Sequence, residues 1–186
     1  MTRQPVVTLG ALACLALLIA HACIVGAVAA PSDPYAALKI SRLADGTPLG
    51  FFDLKALDGS SVRSKDLEGK VVLLNFWATW CGPCKEEMPS LARLQHEFDP
   101  QRFAVVTITA DVHPQGIRQF LTHLGITLPV LFDEDQEVSR TFMVRGLPTT
   151  IVIGRDGRPV GRAVGPRAWD SQESFTLVRH VLEESK

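Results

Sequence analysis

Val71-Val72-Leu73-Leu74-Asn75-Phe76-Trp77-Ala78-Thr79-Trp80-Cys81-Gly82-Pro83-Cys84 is the stretch that decides the fold. Its beginning, Val71 to Trp77, is an almost unbroken apolar run, as expected for a central strand covered on both faces. Beyond the cysteines, Met88, Leu91, Leu94 and Phe98 recur every three to four residues with Glu86, Glu87, Arg93 and Glu97 between them. Pro83 to Phe98 therefore reads as an amphipathic helix. Two thiols stand where a buried strand feeds a helix.

A thiol at a helix start faces unpaired backbone N–H groups and the positive end of the helix dipole, which favour thiolate over thiol. That lowers its pKa and makes it nucleophilic near neutral pH. Cys81 has this position and is assigned the attack on a substrate disulfide. Cys84, at i+3 on the same face, is placed to resolve the resulting mixed disulfide. Pro83 suits the first helical turn, where its missing N–H would be unpaired anyway, and Gly82 lets a partner backbone come close. A Cys-x-x-Cys pair is also half of a zinc site, but the chain holds no second such pair, and His96, His113, His123 and His180 show no paired ligand spacing. The expectation is a Cys81–Cys84 couple that cycles between dithiol and disulfide with no cofactor and no metal.

Glu87 is a further i+3 step from Cys84 and could exchange a proton with it; the alternative is a solvated helix glutamate, as Glu86 is expected to be. Pro148, in Gly146-Leu147-Pro148-Thr149-Thr150, precedes a strand. A cis bond there would free the backbone of Leu147 to pair with an extended substrate, while a trans proline at a strand entry is the ordinary reading. Lys85 reads as well as a surface charge, and Trp77 and Trp80 as packing aromatics.

Working outward, Phe51 to Leu57, Asp58-Gly59 and Val62 read as strand, turn and strand. Phe103 to Ala110 is a second buried-type strand, leading through Asp111 to Pro114 into a helix over Gln115 to Leu124 that Gly125 can end. Leu128 to Phe132 reads as a strand, Glu137 to Val144 as a short helix and Thr149 to Ile153 as a strand. Asp156-Gly157 then makes a hairpin turn, Pro159 to Val164 its second strand, and Trp169 to Leu182 a closing helix. Strands alternating with helices before a terminal hairpin imply an α/β sandwich with mixed strand directions.

The 186 residues carry 46% hydrophobic and 21% charged side chains with a formal net charge of -1. That is one domain's worth of chain with no electrostatic footprint for nucleic acid. Residues 1–30 are expected to be a membrane-targeting segment, since Val6 to Ala30 carries no formal charge. It is long enough to be a retained anchor, Ala27-Val28-Ala29 offers the cleavage site of a secretory signal, and Cys23 after Ala20-His21-Ala22 offers lipoprotein processing. All three readings put the globular part in the periplasm or on the outer face of the cytoplasmic membrane. Cys14 and Cys23 lie in this segment as small apolar residues, which leaves one cysteine pair, a reagent rather than a stapling framework. Residues 31–48, mixing Pro, Ser, Asp and Gly, read as a linker, and 49–186 as the folded domain.

Phe76-Trp77-Ala78-Thr79-Trp80-Cys81-Gly82-Pro83-Cys84-Lys85 resembles the active-site strand and helix of thioredoxin, and Gly146-Leu147-Pro148-Thr149-Thr150 resembles its cis-proline loop. Three features resemble the TlpA/ResA/DsbE-like branch of membrane-associated, extracytoplasmic thioredoxin-fold thiol-disulfide oxidoreductases. They are the Cys84-Lys85-Glu86-Glu87-Met88-Pro89 continuation, the added strand and helix around Phe103 to Leu124, and Asn75 where thioredoxin has a buried aspartate.

The resemblance spans about Leu49 to Glu183. It implies a thioredoxin-like sandwich whose central mixed sheet is flanked by helices, with an extra N-terminal hairpin and a central strand-helix insertion. It implies Glu87 as the buried acid-base group, Pro148 as a cis residue, and Trp80, Gly82, Pro83, Leu147 and Pro148 as the substrate-binding set. The function implied is reduction of disulfides on exported cysteine-containing proteins, for example apocytochrome c or copper-site cysteines, with electrons supplied by a membrane thiol-disulfide donor. Two alternatives stand beside it. A thiol peroxidase resembles this fold but needs a Thr where Ala78 stands, and a Cu(I) metallochaperone would use Cys81, Cys84 and a distant His such as His113, although its relatives space the cysteines by three residues.

Overall fold

In chain order the computed structural model, which describes residues 33–44 and 51–184, begins with helix α1 (Pro34–Ala37) and strands β1 (Ser41–Arg42), β2 (Asp53–Lys55) and β3 (Ser61–Arg63). A 3-10 turn (Ser64–Leu67) leads to β4 (Val71–Trp77), α2 (Gly82–His96), β5 (Phe103–Thr109), α3 (Pro114–Leu124) and β6 (Val130–Phe132). Helix α4 (Glu137–Thr141), β7 (Thr149–Ile153), β8 (Pro159–Val164) and α5 (Gln172–Glu184) complete it. The expectations for residues 1–30, Cys14 and Cys23 among them, lie outside the described residues. Among the described residues no helix is long and apolar enough to cross a membrane.

Every residue of β4 is buried, as its apolar run requires, because β4 is flanked by β5 in parallel and β7 antiparallel near the middle of a six-stranded sheet ordered β1-β8-β7-β4-β5-β6. Alternate side chains go to opposite faces. Val71, Leu73 and Trp77 join Met88, Leu91 and Leu94 of α2, Ile117 of α3, and Leu177 and Val181 of α5 in one core. Val72, Leu74 and Phe76 join Phe52, Val138 and Phe142 in the other, under the β2–β3 hairpin and α4. Each such buried side chain contributes about 1.5–3 kcal/mol. By the same alternation Asn75 points to the α2 face, a polar residue in an apolar layer.

The mixed sandwich, the hairpin and the β5–α3 insertion are present as the pattern predicts. The linker expected over 31–48 is corrected: the folded unit begins at Asp33, not at residue 49, and holds α1 and β1. Asp33 caps α1 by accepting the Tyr35 N–H at 3.1 Å, and Tyr35, Leu38 and Ile40 are buried. β1 then extends the sheet through Ser41 opposite Arg162. A four-residue helix is too short to show a period, which is why the stretch reads as tether. The closing helix also starts later than expected, at Gln172, because Ser171 accepts the Ser174 N–H at 3.3 Å and acts as its cap. Trp169 is thereby left in the loop after β8.

Candidate redox site

The turn from β4 into α2 is tied down from β5. Asp111, just past β5, accepts hydrogen bonds from the Thr79 N–H and the Thr79 hydroxyl, both at 2.7 Å, and from the Thr109 hydroxyl at 2.8 Å. Cys81 emerges from that turn as the N-cap of α2, its Sγ accepting the Cys84 N–H at 3.3 Å. The two sulfurs are joined in a disulfide of 2.07 Å. Cys84 is 0% exposed and Cys81 7%, so an incoming thiolate meets Cys81 first. In the reduced state the same helix N-terminus would favour a thiolate on Cys81.

Glu87 is 3% exposed, whereas Glu86 beside it is exposed, as the sequence predicts. Its Oε1 accepts a hydrogen bond from Asn75 Nδ2 at 2.8 Å, and its Oε2 accepts from the Arg167 N–H at 3.0 Å and the Trp169 Nε1–H at 3.1 Å. Asn75 Nδ2 also donates to Thr150 Oγ1 at 3.0 Å. Burial pushes the Glu87 carboxyl above its ordinary pKa, and the three hydrogen bonds pull it down without cancelling that rise. A carboxyl with a raised pKa one helical turn from a buried thiol is better matched to proton exchange with it than an ordinary glutamate.

A groove of ≈ 850 Å³ runs beside Cys81, lined among others by Trp80, Asp111, Val112, Arg145 and Leu147. Trp80, 69% exposed, stands on its rim. The Leu147–Pro148 bond is cis, and the Pro148 carbonyl accepts the Gly165 N–H at 2.9 Å. Gly82 and Pro83 are exposed in the first turn of α2, with open space where a Gly82 side chain would lie. Trp80, Cys81 and Leu147 thus share the groove wall, while Gly82, Pro83 and Pro148 are not among its lining residues. Among the described residues no group of three or more His, Cys, Asp or Glu is placed to hold a metal ion.

Arg167 and Trp169 escaped the sequence reading, since they meet Glu87 from 80 and 82 positions away. The available signal was Ser171, a capping residue type that puts Trp169 ahead of the helix rather than in it.

Residues 46–158 match the AhpC/TSA family. The chain is 33% identical over 124 residues to the thiol-disulfide oxidoreductase ResA of Bacillus thuringiensis (strain Al Hakam), covering 67% of this chain and 72% of that protein. It is 38% identical over 141 residues to ResA of Oceanobacillus iheyensis, covering 74% of this chain and 72% of that one. Among solved structures, a putative thiol:disulfide interchange protein DsbE from Chlorobium tepidum superposes with a TM-score of 0.66 at 30% identity, covering 76% of this chain and 98% of that chain. StoA from Bacillus subtilis shares the fold, with a TM-score of 0.60 at 21% identity over 70% of this chain and 98% of that one. The chain belongs to the AhpC/TSA family and, within the thioredoxin fold, is a thiol-disulfide oxidoreductase of the ResA/DsbE-like kind.

Proposed function

We propose that this oxidoreductase works as a reductant of disulfides in exported proteins, outside the cytoplasmic membrane, with Cys81 as the attacking and Cys84 as the resolving thiol. The observation that carries the reading is the asymmetry of the pair, one sulfur at a groove and the other buried one helical turn from Glu87. In the reduced protein the Cys81 thiolate attacks a substrate disulfide, forming a mixed disulfide and expelling one substrate thiolate, which takes up a proton. Cys84 then loses its proton to the Glu87 carboxylate and attacks Cys81 Sγ. The second substrate sulfur leaves as a thiolate, and the Cys81–Cys84 disulfide re-forms. Two electrons pass to the substrate, so the cycle needs a thiol donor, for which a membrane thiol-disulfide protein is the fitting class.

Apocytochrome c and copper-site cysteines are the substrates proposed, on the strength of the sequence resemblance. Trp80, Gly82, Pro83, Leu147 and Pro148 would hold the extended chain around the cysteine. The test is the reduction potential of the pair, measured by equilibration with defined glutathione or dithiothreitol ratios. A value near that of thioredoxin, about -270 mV, supports a reductant, and one near about -120 mV reverses the direction to disulfide formation. Hydroperoxide consumption or tight Cu(I) binding without disulfide reductase activity would instead favour a thiol peroxidase or a metallochaperone.

A further inference from the structure

The guanidinium of Arg167 is satisfied by main-chain carbonyls from two separate segments. Nε donates to the Leu38 carbonyl at 2.6 Å and Nη2 to that of Lys39 at 3.1 Å, both just past α1. Nη1 donates to the carbonyls of Gly165 at 3.1 Å and Pro166 at 2.8 Å, just past β8. One side chain thus pins the loop after β8 to the N-terminal arm, and the arm is itself anchored by the buried Tyr35, Leu38 and Ile40.

The pinned loop faces the redox site. Its Arg167 N–H and its Trp169 indole both reach Glu87 Oε2. The Trp169 N–H donates to Ser90 Oγ at 3.1 Å, and the Ser90 hydroxyl donates to the Glu87 carbonyl at 2.7 Å, so the loop grips α2 at the turn that carries the carboxyl. We propose that Arg167 is a positioning residue for Glu87: its guanidinium, held by the carbonyls of Leu38 and Lys39, sets the loop so that two N–H donors meet one carboxyl oxygen. The inference rests on the reading of Glu87 as the acid-base group. It adds that an arm remote in sequence from the cysteines holds that group in register.

The geometry requires arginine. Four carbonyls on two segments are met by the planar fork of a guanidinium, whereas a lysine ammonium is a compact point charge at the end of a flexible stem. Releasing the loop removes two donors that favour the ionised carboxylate, while the burial that opposes ionisation remains.

The test compares the full-length chain with Arg167→Lys, Glu87→Gln and the double variant. In each, the pH dependence of resolution of a preformed Cys81 mixed disulfide is measured beside thermal unfolding. Arg167→Lys is expected to move the Glu87-dependent limb upward by about one pH unit if one of the two hydrogen bonds to the carboxylate is lost and by about two if both are. The double variant should then match Glu87→Gln. A limb that vanishes in Glu87→Gln yet stays in place in Arg167→Lys overturns this inference alone. A limb that persists in Glu87→Gln sinks the reading of Glu87 and this inference with it. Should Arg167→Lys not fold, the unaltered chain decides by NMR titration: the Arg167 Nε–H resonance should move with the Glu87 midpoint, and a flat response overturns the coupling.

Discussion

Asn75 Nδ2 lies 2.8 Å from Glu87 Oε1, joining the central strand to the active-site helix through an amide and a carboxyl that are both shut away from solvent. The same amide bonds Thr150, two residues past Pro148. Burying polar groups this deeply is costly unless they are partnered. The Asn75 nitrogen and both Glu87 oxygens are, in a chain that runs from the helix carrying the cysteines, through the sheet, to the strand after the cis proline, while Asn75 Oδ1 has no hydrogen-bond partner among the described residues.

Replacing Asn75 by Asp should put a second carboxyl beside Glu87 at hydrogen-bonding distance. Two carboxyls that close share one proton, so the pair would titrate with one midpoint strongly raised. The limb of the pH-rate profile for mixed-disulfide resolution is expected to move up by on the order of two pH units. An unmoved limb would separate Asn75 from the acid-base chemistry.

Glu87→Gln keeps the shape and removes the charge. Loss of a positioned proton acceptor typically costs a factor of about 10²–10⁴, and the slowing should fall on resolution, with attack by Cys81 spared. Stopped-flow measurement of the two steps distinguishes them, and equal slowing of both would speak against the assigned role.

The raised pKa of Glu87 also predicts a stability effect of definite sign. The folded carboxyl holds its proton above the ordinary value of 4.5, so its stabilising contribution is complete below that value and is lost as pH rises through the elevated folded pKa. Urea midpoints of the wild-type protein should therefore fall relative to Glu87→Gln across that window. Parallel curves for the two proteins would contradict it.

Cys84→Ser is expected to leave attack intact and block resolution, accumulating substrates as mixed disulfides on Cys81. Cys81→Ser should trap far less, because Cys84 is enclosed. Non-reducing electrophoresis after acid quenching reads both, and equal trapping by the two variants would reverse the roles.

Gly161→Ala tests the fold rather than the chemistry. A Cβ at Gly161 would lie 2.9 Å from Ile40 Cγ2 and 3.0 Å from Tyr35 Cε1, where the arm seats on β8. Overpacking of this kind costs about 1–3 kcal/mol. Thermal unfolding should show that loss while the reduction potential stays unchanged.

The sequence by itself determined the architecture around the cysteines. The nearly unbroken apolar run from Val71 to Trp77 reads as a strand covered on both faces, and the three-to-four spacing from Met88 to Leu94 as a helix, both from local pattern. The i+3 step from Cys84 to Glu87 was legible for the same reason. What only the tertiary structure decided is the surroundings of that carboxyl: Asn75 across the layer, the Arg167 N–H and Trp169 indole from the far end of the chain, and an arm at residues 33–42 that reads as linker. None of these has a period, because each is a single contact between segments distant in sequence, set by how helix, sheet and loop pack rather than by any one of them.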